Sequence, residues 1–276
     1  METGNLHRLP ARKSLGQNFI IDPNIVGRII DEADIGPEDT VVEIGPGQGA
    51  MTRGLAERAK HLIAIELDER LLHRLKTELS DLKNIDLILG NALTFPYERL
   101  IGKVKVVANL PYYISSPMIT RLIEVREKID YLILMLQKEV AERITAPPGG
   151  KEYGYLSVMV QLWAGAEILF HVPREAFSPV PKVDSAVVRL RMRASPEVEA
   201  ADYGFFGKIV GAAFSQRRKT LRNTLRASGL IPPEAFDTAM SRMAEAGIDP
   251  SRRAETLSIG EFGMLAEILF ELSPAR

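Results

Sequence analysis

Val41-Val42-Glu43-Ile44-Gly45-Pro46-Gly47-Gln48-Gly49 is the stretch that decides the fold. A short apolar strand carrying one acid runs straight into three alternating glycines, and a helical pattern, Gly49–Arg58, follows. Glycines let the backbone turn sharply and come close to a ligand at the carboxyl end of a first strand. Outward from this loop, apolar runs at Thr40–Ile44, His61–Glu66, Ile85–Leu89, Val104–Asn109 and Tyr131–Gln137 read as strands. Helical patterns lie between or beside them at Gly49–Arg58, Asp68–Leu79, Ser115–Glu127 and Lys138–Thr145. That rhythm is a series of βαβ units and predicts an α/β fold with a mostly parallel, doubly wound sheet. Upstream, Asp22 is placed to cap a helix beginning at Pro23, and residues 1–21 read as a polar, basic arm.

After Thr145 the rhythm changes. Tyr155–Leu162 has a helical pattern, and Glu167–Val172 and Ser185–Arg191 read as two more strands. No crossover helix joins them, so they are expected as an antiparallel hairpin at one edge of a seven-stranded sheet. From Ala194 onward only helices are expected, at Tyr203–Phe214, Arg217–Ala227, Pro233–Met243 and Ile259–Glu271. The expected domains are therefore 1–193, including the arm, and a small all-α domain at 194–276.

Composition narrows the function classes. The chain has 276 residues, a net charge of −1 and no cysteine. The missing cysteines exclude disulfides, thiolate metal sites and cysteine nucleophiles, and the four histidines are scattered outside any ligand cluster. The longest apolar run, Tyr131–Leu136, is strand-length, far short of the roughly 18 residues that span a bilayer. No apolar signal core opens the chain, so a cytoplasmic protein without membrane or metal partners is expected, and nothing demands more than a monomer.

The Gly loop specifies a kind of cofactor. Its last glycine, Gly49, comes four positions after Gly45, tighter than the G-x-G-x-x-G of NAD enzymes and closer to S-adenosylmethionine enzymes. Gly45 and Gly47 would then lie against the cofactor. Glu66 closes the next strand about 20 residues on, where an acid commonly holds a ribose hydroxyl pair. Asn91, after the third strand, faces the adenine edge in this fold class and can donate or accept there.

The most informative segment closes the fourth strand: Val107-Ala108-Asn109-Leu110-Pro111-Tyr112. An exocyclic adenine amine is a poor nucleophile because its lone pair is conjugated into the ring. The Asn109 side-chain oxygen and the Leu110 carbonyl can accept its two hydrogens and favour a pyramidal nitrogen. Pro111 stiffens the turn, and Tyr112 offers a face for an extruded base. No strong general base is needed, since the amine becomes acidic once its lone pair is used.

Taken together, Lys13-Ser-Leu-Gly-Gln-Asn-Phe19, Glu43–Gly49, Ile65-Glu-Leu-Asp68, Asn109-Leu-Pro-Tyr-Tyr113, Phe177-Ser-Pro-Val-Pro-Lys-Val-Asp-Ser185 and Phe214–Asn223 resemble the KsgA/RsmA family. Its members are small-subunit rRNA adenine N6,N6-dimethyltransferases. They modify two adjacent adenosines in the 3′-terminal hairpin loop of 16S rRNA in the assembling 30S subunit. The resemblance runs from about Lys13 to Leu269. It implies that Asn18, Ile20, Gly45, Glu66, Asn91 and Asn109 line the S-adenosylmethionine site and that Tyr112 and Phe177 flank the target base. Asn91 departs from the family's usual Asp, and weaker or retuned cofactor binding rather than its loss is expected.

Arg217, Arg218, Lys219, Arg222 and Arg226 form a basic run without an acid, and with Arg8, Arg12 and Lys13 are candidate phosphate contacts. The arginines do not all share one helical face, so some are free to pair within the domain instead. From Leu190 onward there are twelve basic and eleven acidic residues, so RNA binding must rest on a patch. Three rivals stay open on sequence alone. One is an Erm-type methylase acting on large-subunit rRNA. The second is an assembly or transcription factor without need of catalysis, and the third an NAD oxidoreductase. Phe214–Asn223 and Arg253–Ser258 resemble the small-subunit family rather than the Erm type.

Overall fold

A computed structural model describes residues 9–273, so Arg8 lies outside the described residues. The arm holds a 3-10 turn, Lys13–Leu15, and a two-residue strand β1 (Phe19–Ile20). Helix α1 (Pro23–Glu32) follows with Pro23 in its first turn, and the Asp22 carboxylate accepts from the Asn24 N–H at 2.9 Å. The alternation then runs β2 (Thr40–Ile44), α2 (Thr52–Arg58), β3 (His61–Glu66), α3 (Glu69–Glu78), β4 (Ile85–Leu89), β5 (Val104–Asn109), α4 (Ser115–Glu124), β6 (Ile129–Gln137) and α5 (Lys138–Thr145). Next come α6 (Tyr155–Trp163), β7 (Ala164–Val172), β8 (Phe177–Ser178), β9 (Ser185–Met192), α7 (Tyr203–Phe214), α8 (Leu221–Ser228), α9 (Phe236–Glu245) and α10 (Ile259–Leu272).

The seven-stranded sheet has the order β4-β3-β2-β5-β6-β9-β7. Strands β2 to β6 are parallel, and β9 runs antiparallel to β6 with Gln137 opposite Ser185. Central strands are apolar almost throughout because helices cover both faces of a parallel sheet. Val41, Val42, Leu62, Val106, Val107 and Leu132 are all buried. The chain winds outward from β2 to β4 on one side and from β5 to β6 on the other. The order therefore reverses between β2 and β5, and a ligand crevice opens at the carboxyl ends of strands at such a reversal.

The described residues divide into two compact units, 9–141 with 166–192, and 142–165 with 193–273. The expected boundary near residue 193 thus misassigns 142–165, which carries α6 into the helical unit. The reason is local to that unit. Helix α7 is apolar on nearly all sides and packs against α6, α8 and α10. Gly207 and Gly211 of α7 face Met159 and Tyr155 of α6; a Cβ at either would stand 3.5 and 3.8 Å from them. The expected helix at Arg217 begins only at Leu221, since residues 216–219 form a turn. Starting it in the basic run would stack positive charge on the positive end of the helix dipole.

Gly49 has φ +81°, and a Cβ there would sit 2.7 Å from Leu75 Cδ2, a side chain already buried in α3. Gly49→Ala should lower stability by about 1–3 kcal/mol, combining left-handed strain with overpacking, as read by urea denaturation.

Candidate active site

The carboxyl ends of β2, β3 and β5 lie side by side, with Ile44 opposite both Ile65 and Ala108. Their following residues enclose a cavity of about 210 Å³. Gly45 and Gly47 form part of its wall, with φ +68° and +59°. A side chain at Gly47 would press within 3.1 Å of the Phe19 ring. The Gly45 N–H donates to the Ile65 carbonyl at 2.9 Å, joining the loop to β3.

Glu66 fixes the loop's curvature. One carboxylate oxygen accepts from the Gly47 N–H at 3.0 Å and the other from the Asp68 N–H at 2.8 Å. Burial raises the Glu66 pKa, while the backbone donors of Asp68, Gly47 and Leu67 work against that rise.

At the end of β5 the Asn109 amide donates from Nδ2 to the Asn18 carbonyl at 3.1 Å. One of its two N–H groups is thereby committed, and Oδ1 accepts nothing from the described residues. The Leu110 N–H donates to the Met135 carbonyl at 3.2 Å, and the Leu110 carbonyl likewise receives no hydrogen bond among the described residues. Two unclaimed acceptors therefore follow one another along the chain in the cavity wall. Pro111, Tyr112 and Phe177 complete that side. The Tyr112 hydroxyl and Ser185 Oγ hydrogen-bond at 3.2 Å, and burial of the ring raises the phenol pKa.

Asn18, Gly45, Gly47, Glu66, Asn91, Asn109, Leu110, Pro111, Tyr112 and Phe177 thus all reach one cavity. Ile20 does not; its side chain is buried in the apolar core, and it pairs in register with Phe177 through β1 and β8. Asn91 reaches the wall, but its Oδ1 already caps the 3-10 turn Ala92–Thr94 by accepting from the Leu93 N–H at 3.0 Å. The amide oxygen expected to serve the ligand is therefore engaged, and Nδ2 is the unspent end. Sequence reasoning missed Leu15, Gly16, Gln17, Leu67 and Tyr113, which also line the cavity. The available signal was Gly16, whose φ of +57° folds the arm back and whose bare Cα admits the Tyr113 ring.

The family model described as "Ribosomal RNA adenine dimethylase" matches residues 8–271. The chain belongs to that family. Ribosomal RNA small subunit methyltransferase A of Pelotomaculum thermopropionicum is 47% identical over 274 residues, 95% of this chain and 92% of that protein. The Moorella thermoacetica protein of the same name is 46% identical over 272 residues, 95% and 93% of the two chains. A dimethyladenosine transferase from Plasmodium falciparum superposes with a TM-score of 0.78 at 28% identity, covering 90% of this chain and 95% of that one. The 23S rRNA methyltransferase ErmE follows at 0.70 and 29%, covering 92% and 100%. This rRNA adenine dimethylase is a methyltransferase that depends on S-adenosylmethionine. The cavity fits that cofactor: bare glycine backbone on one wall, a buried acid beside it and unclaimed acceptors opposite.

In the basic regions the dimethylase spends some charge internally. Arg217 pairs with Glu255 at 3.3 Å and donates to the Lys151 carbonyl, and Arg12 lies 3.6 Å from Asp68. Lys13, Arg218, Lys219 and Arg222 form no ion pair among the described residues, and Arg218, Lys219 and Arg222 are exposed. Arg226 lies over the Phe236 ring, 4.4 Å from its centroid.

Glu43, the acid inside β2, ties down no donor of the glycine loop among the described residues. Both its oxygens are buried without a hydrogen bond, as is the nearby Thr52 hydroxyl. Burial pushes the Glu43 carboxyl up to about 8, against a lowering by the neighbouring Thr52 hydroxyl and with a smaller upward contribution from the Glu66 charge. The folded chain then keeps a proton that the unfolded chain has released between about pH 4.5 and 8, so stability falls as pH rises through that window. Melting temperatures of the native protein and Glu43→Gln should diverge in favour of the variant as pH climbs from about 5 to about 8.5; parallel curves would refute this.

Proposed function

We propose that this dimethylase modifies two adjacent adenosines in the 3′-terminal hairpin loop of 16S rRNA within the assembling 30S subunit, as a cytoplasmic monomer. The relatives named for small-subunit methylation and their coverage of nearly the whole chain support this target over the Erm type. Among the described residues no helix is long and apolar enough to cross a membrane, and no three His, Asp or Glu residues group as metal ligands.

The observation that carries the mechanism is the pair of unclaimed acceptors, Asn109 Oδ1 and the Leu110 carbonyl. S-adenosylmethionine, when bound, supplies a sulfonium methyl as the electrophile. The chain's task is to present a nitrogen lone pair to it. The two acceptors hold the two amine hydrogens of the flipped adenine and turn the lone pair out of conjugation. Tyr112, its hydroxyl fixed by Ser185, and Phe177 flank the base and exclude water. Alignment of this kind, rather than acid–base chemistry, carries the rate. After the first transfer the amine has one hydrogen left, and one acceptor suffices to orient it for the second.

On the cofactor side, Gly45, Gly47, Glu66, Asn18 and Asn91 form the binding wall. Lys13, Arg218, Lys219 and Arg222 have charge free for phosphates. Arg12 is half exposed, and Arg217 stays attached to Glu255.

Asn109→Ala should cut N6-methylation of small-subunit particles lacking the modification by at least about a hundredfold, while calorimetry still shows cofactor binding. Digestion of the RNA after incubation with radiolabelled cofactor identifies the product, and label in any nucleoside other than N6,N6-dimethyladenosine would overturn the reading. Asn91→Asp keeps the cap through one oxygen and frees the other as an acceptor. Calorimetry should find severalfold tighter cofactor binding, and clearly weaker binding would contradict it.

A further inference from the structure

The arm meets the site at several points. Leu15, Gly16, Gln17, Asn18 and Phe19 form one wall of the cavity. The Asn18 carbonyl receives the Asn109 amide. Phe19 and Ile20 pair with Ser178 and Phe177 through β1 and β8. Gly16 lies against the Tyr113 ring. One short segment therefore sets both the orientation of the reacting-end amide and the position of a base-flanking ring.

So short a segment has little to hold it. A two-residue strand pair is marginal by itself. A charged side-chain tether lies at Asp68, where Gln17 Nε2 donates to Asp68 Oδ2 at 3.2 Å and Arg12 of the same arm stands 3.6 Å away. Gln17 Oε1 at the same time accepts from the Arg12 N–H at 2.8 Å, closing the arm's turn on itself. Asp68 is buried and already fixed. Its Oδ1 accepts from the Arg70 N–H at 3.1 Å as the cap of α3, and both oxygens accept from the Arg70 guanidinium. Its own N–H donates to Glu66. Foremost the Arg70 hydrogen bonds, and after them that from Gln17, hold this carboxyl down near about 2, so it stays ionised under all ordinary conditions. A second tie runs from Gln48 Nε2 to the Leu9 carbonyl at 2.9 Å.

We propose that Asp68 is a positioning residue for methyl transfer: through Gln17 it latches the arm over the cofactor cavity, and the latched arm aims the Asn109 amide. The inference rests on the cavity being the S-adenosylmethionine site. Releasing the latch exposes the cofactor's side of the cavity and frees the Asn18 carbonyl from its place. Cofactor retention and turnover then fall together, while the phosphate contacts open to Arg218, Lys219 and Arg222 stay in place.

A double-mutant cycle tests the link without removing the α3 cap. Asp68→Asn keeps an oxygen for the Arg70 N–H but turns a donor toward the Gln17 amide. Gln17→Glu places a second carboxylate against Asp68. Each single variant should raise the KM for S-adenosylmethionine about tenfold and lower kcat, with a much smaller change in the KM for small-subunit particles. The double variant restores a donor–acceptor pair with its polarity reversed and should recover most of both losses. Additive losses in the double variant, or single variants with unaltered cofactor KM and kcat, would overturn the latch. Glu66→Ala, assayed by calorimetry with the cofactor alone, separates the two layers of inference. If it binds like the native protein, the cavity assignment fails and takes the latch with it. If Glu66→Ala binds weakly while the latch variants behave as the native protein does, only the latch fails.

Discussion

Backbone N–H groups in a tight glycine turn must find an acceptor, and here one buried carboxylate meets that need. Glu66 takes the Gly47 N–H with one oxygen and the Asp68 N–H with the other. The first bond sets the curve of the cofactor loop after β2. The second sets the turn after β3, which in turn presents Asp68 to the arm. Three segments far apart in sequence are thereby brought into one geometry by a single side chain. Its burial is tolerable because charge-accepting hydrogen bonds offset desolvation.

Burial of acids has opposite consequences at neighbouring positions. Glu66 is surrounded by donors, Asp68 by a guanidinium and an amide, and Glu43 by neither. The three lie within one stretch of sheet, yet Asp68 is held strongly acidic while Glu43 is driven toward neutrality. What distinguishes them is desolvation, heaviest at Glu43, together with the number of N–H groups within reach.

Much of this was legible in the chain itself. The five parallel strands appear as apolar runs because helices cover both sheet faces, and β2, β3, β4 and β5 begin and end where those runs do. Asn109 to Tyr112 could be placed at the ligand crevice because they follow a strand whose carboxyl end had to lie there. Other features had no such signal. A two-residue strand such as β1 or β8 has no periodicity, and its existence depends on a partner more than 150 residues away. The Gln17–Asp68 bond joins positions 51 apart, which no local pattern records. Residues 142–165 looked continuous with the sheet domain because a helix's partners are chosen by complementary faces rather than by proximity in sequence. The late start of α8 and the engaged oxygen of Asn91 follow from terminal electrostatics and capping, where one hydrogen bond decides.

The discontinuous layout of the two units bears on how the chain is made. Synthesis proceeds from the N-terminus, and α6 emerges before α7 and α10, the helices that cover it. Val158, Val160, Leu162 and Trp163 are buried in the finished protein. The cover that α7 and α10 give them is therefore missing while β7, β8 and β9 are produced. The sheet unit can close as soon as β9 is available, but α6 gains those two partners only later. Maturation of this chain thus has a built-in order, with an incompletely covered apolar helix as its vulnerable intermediate stage.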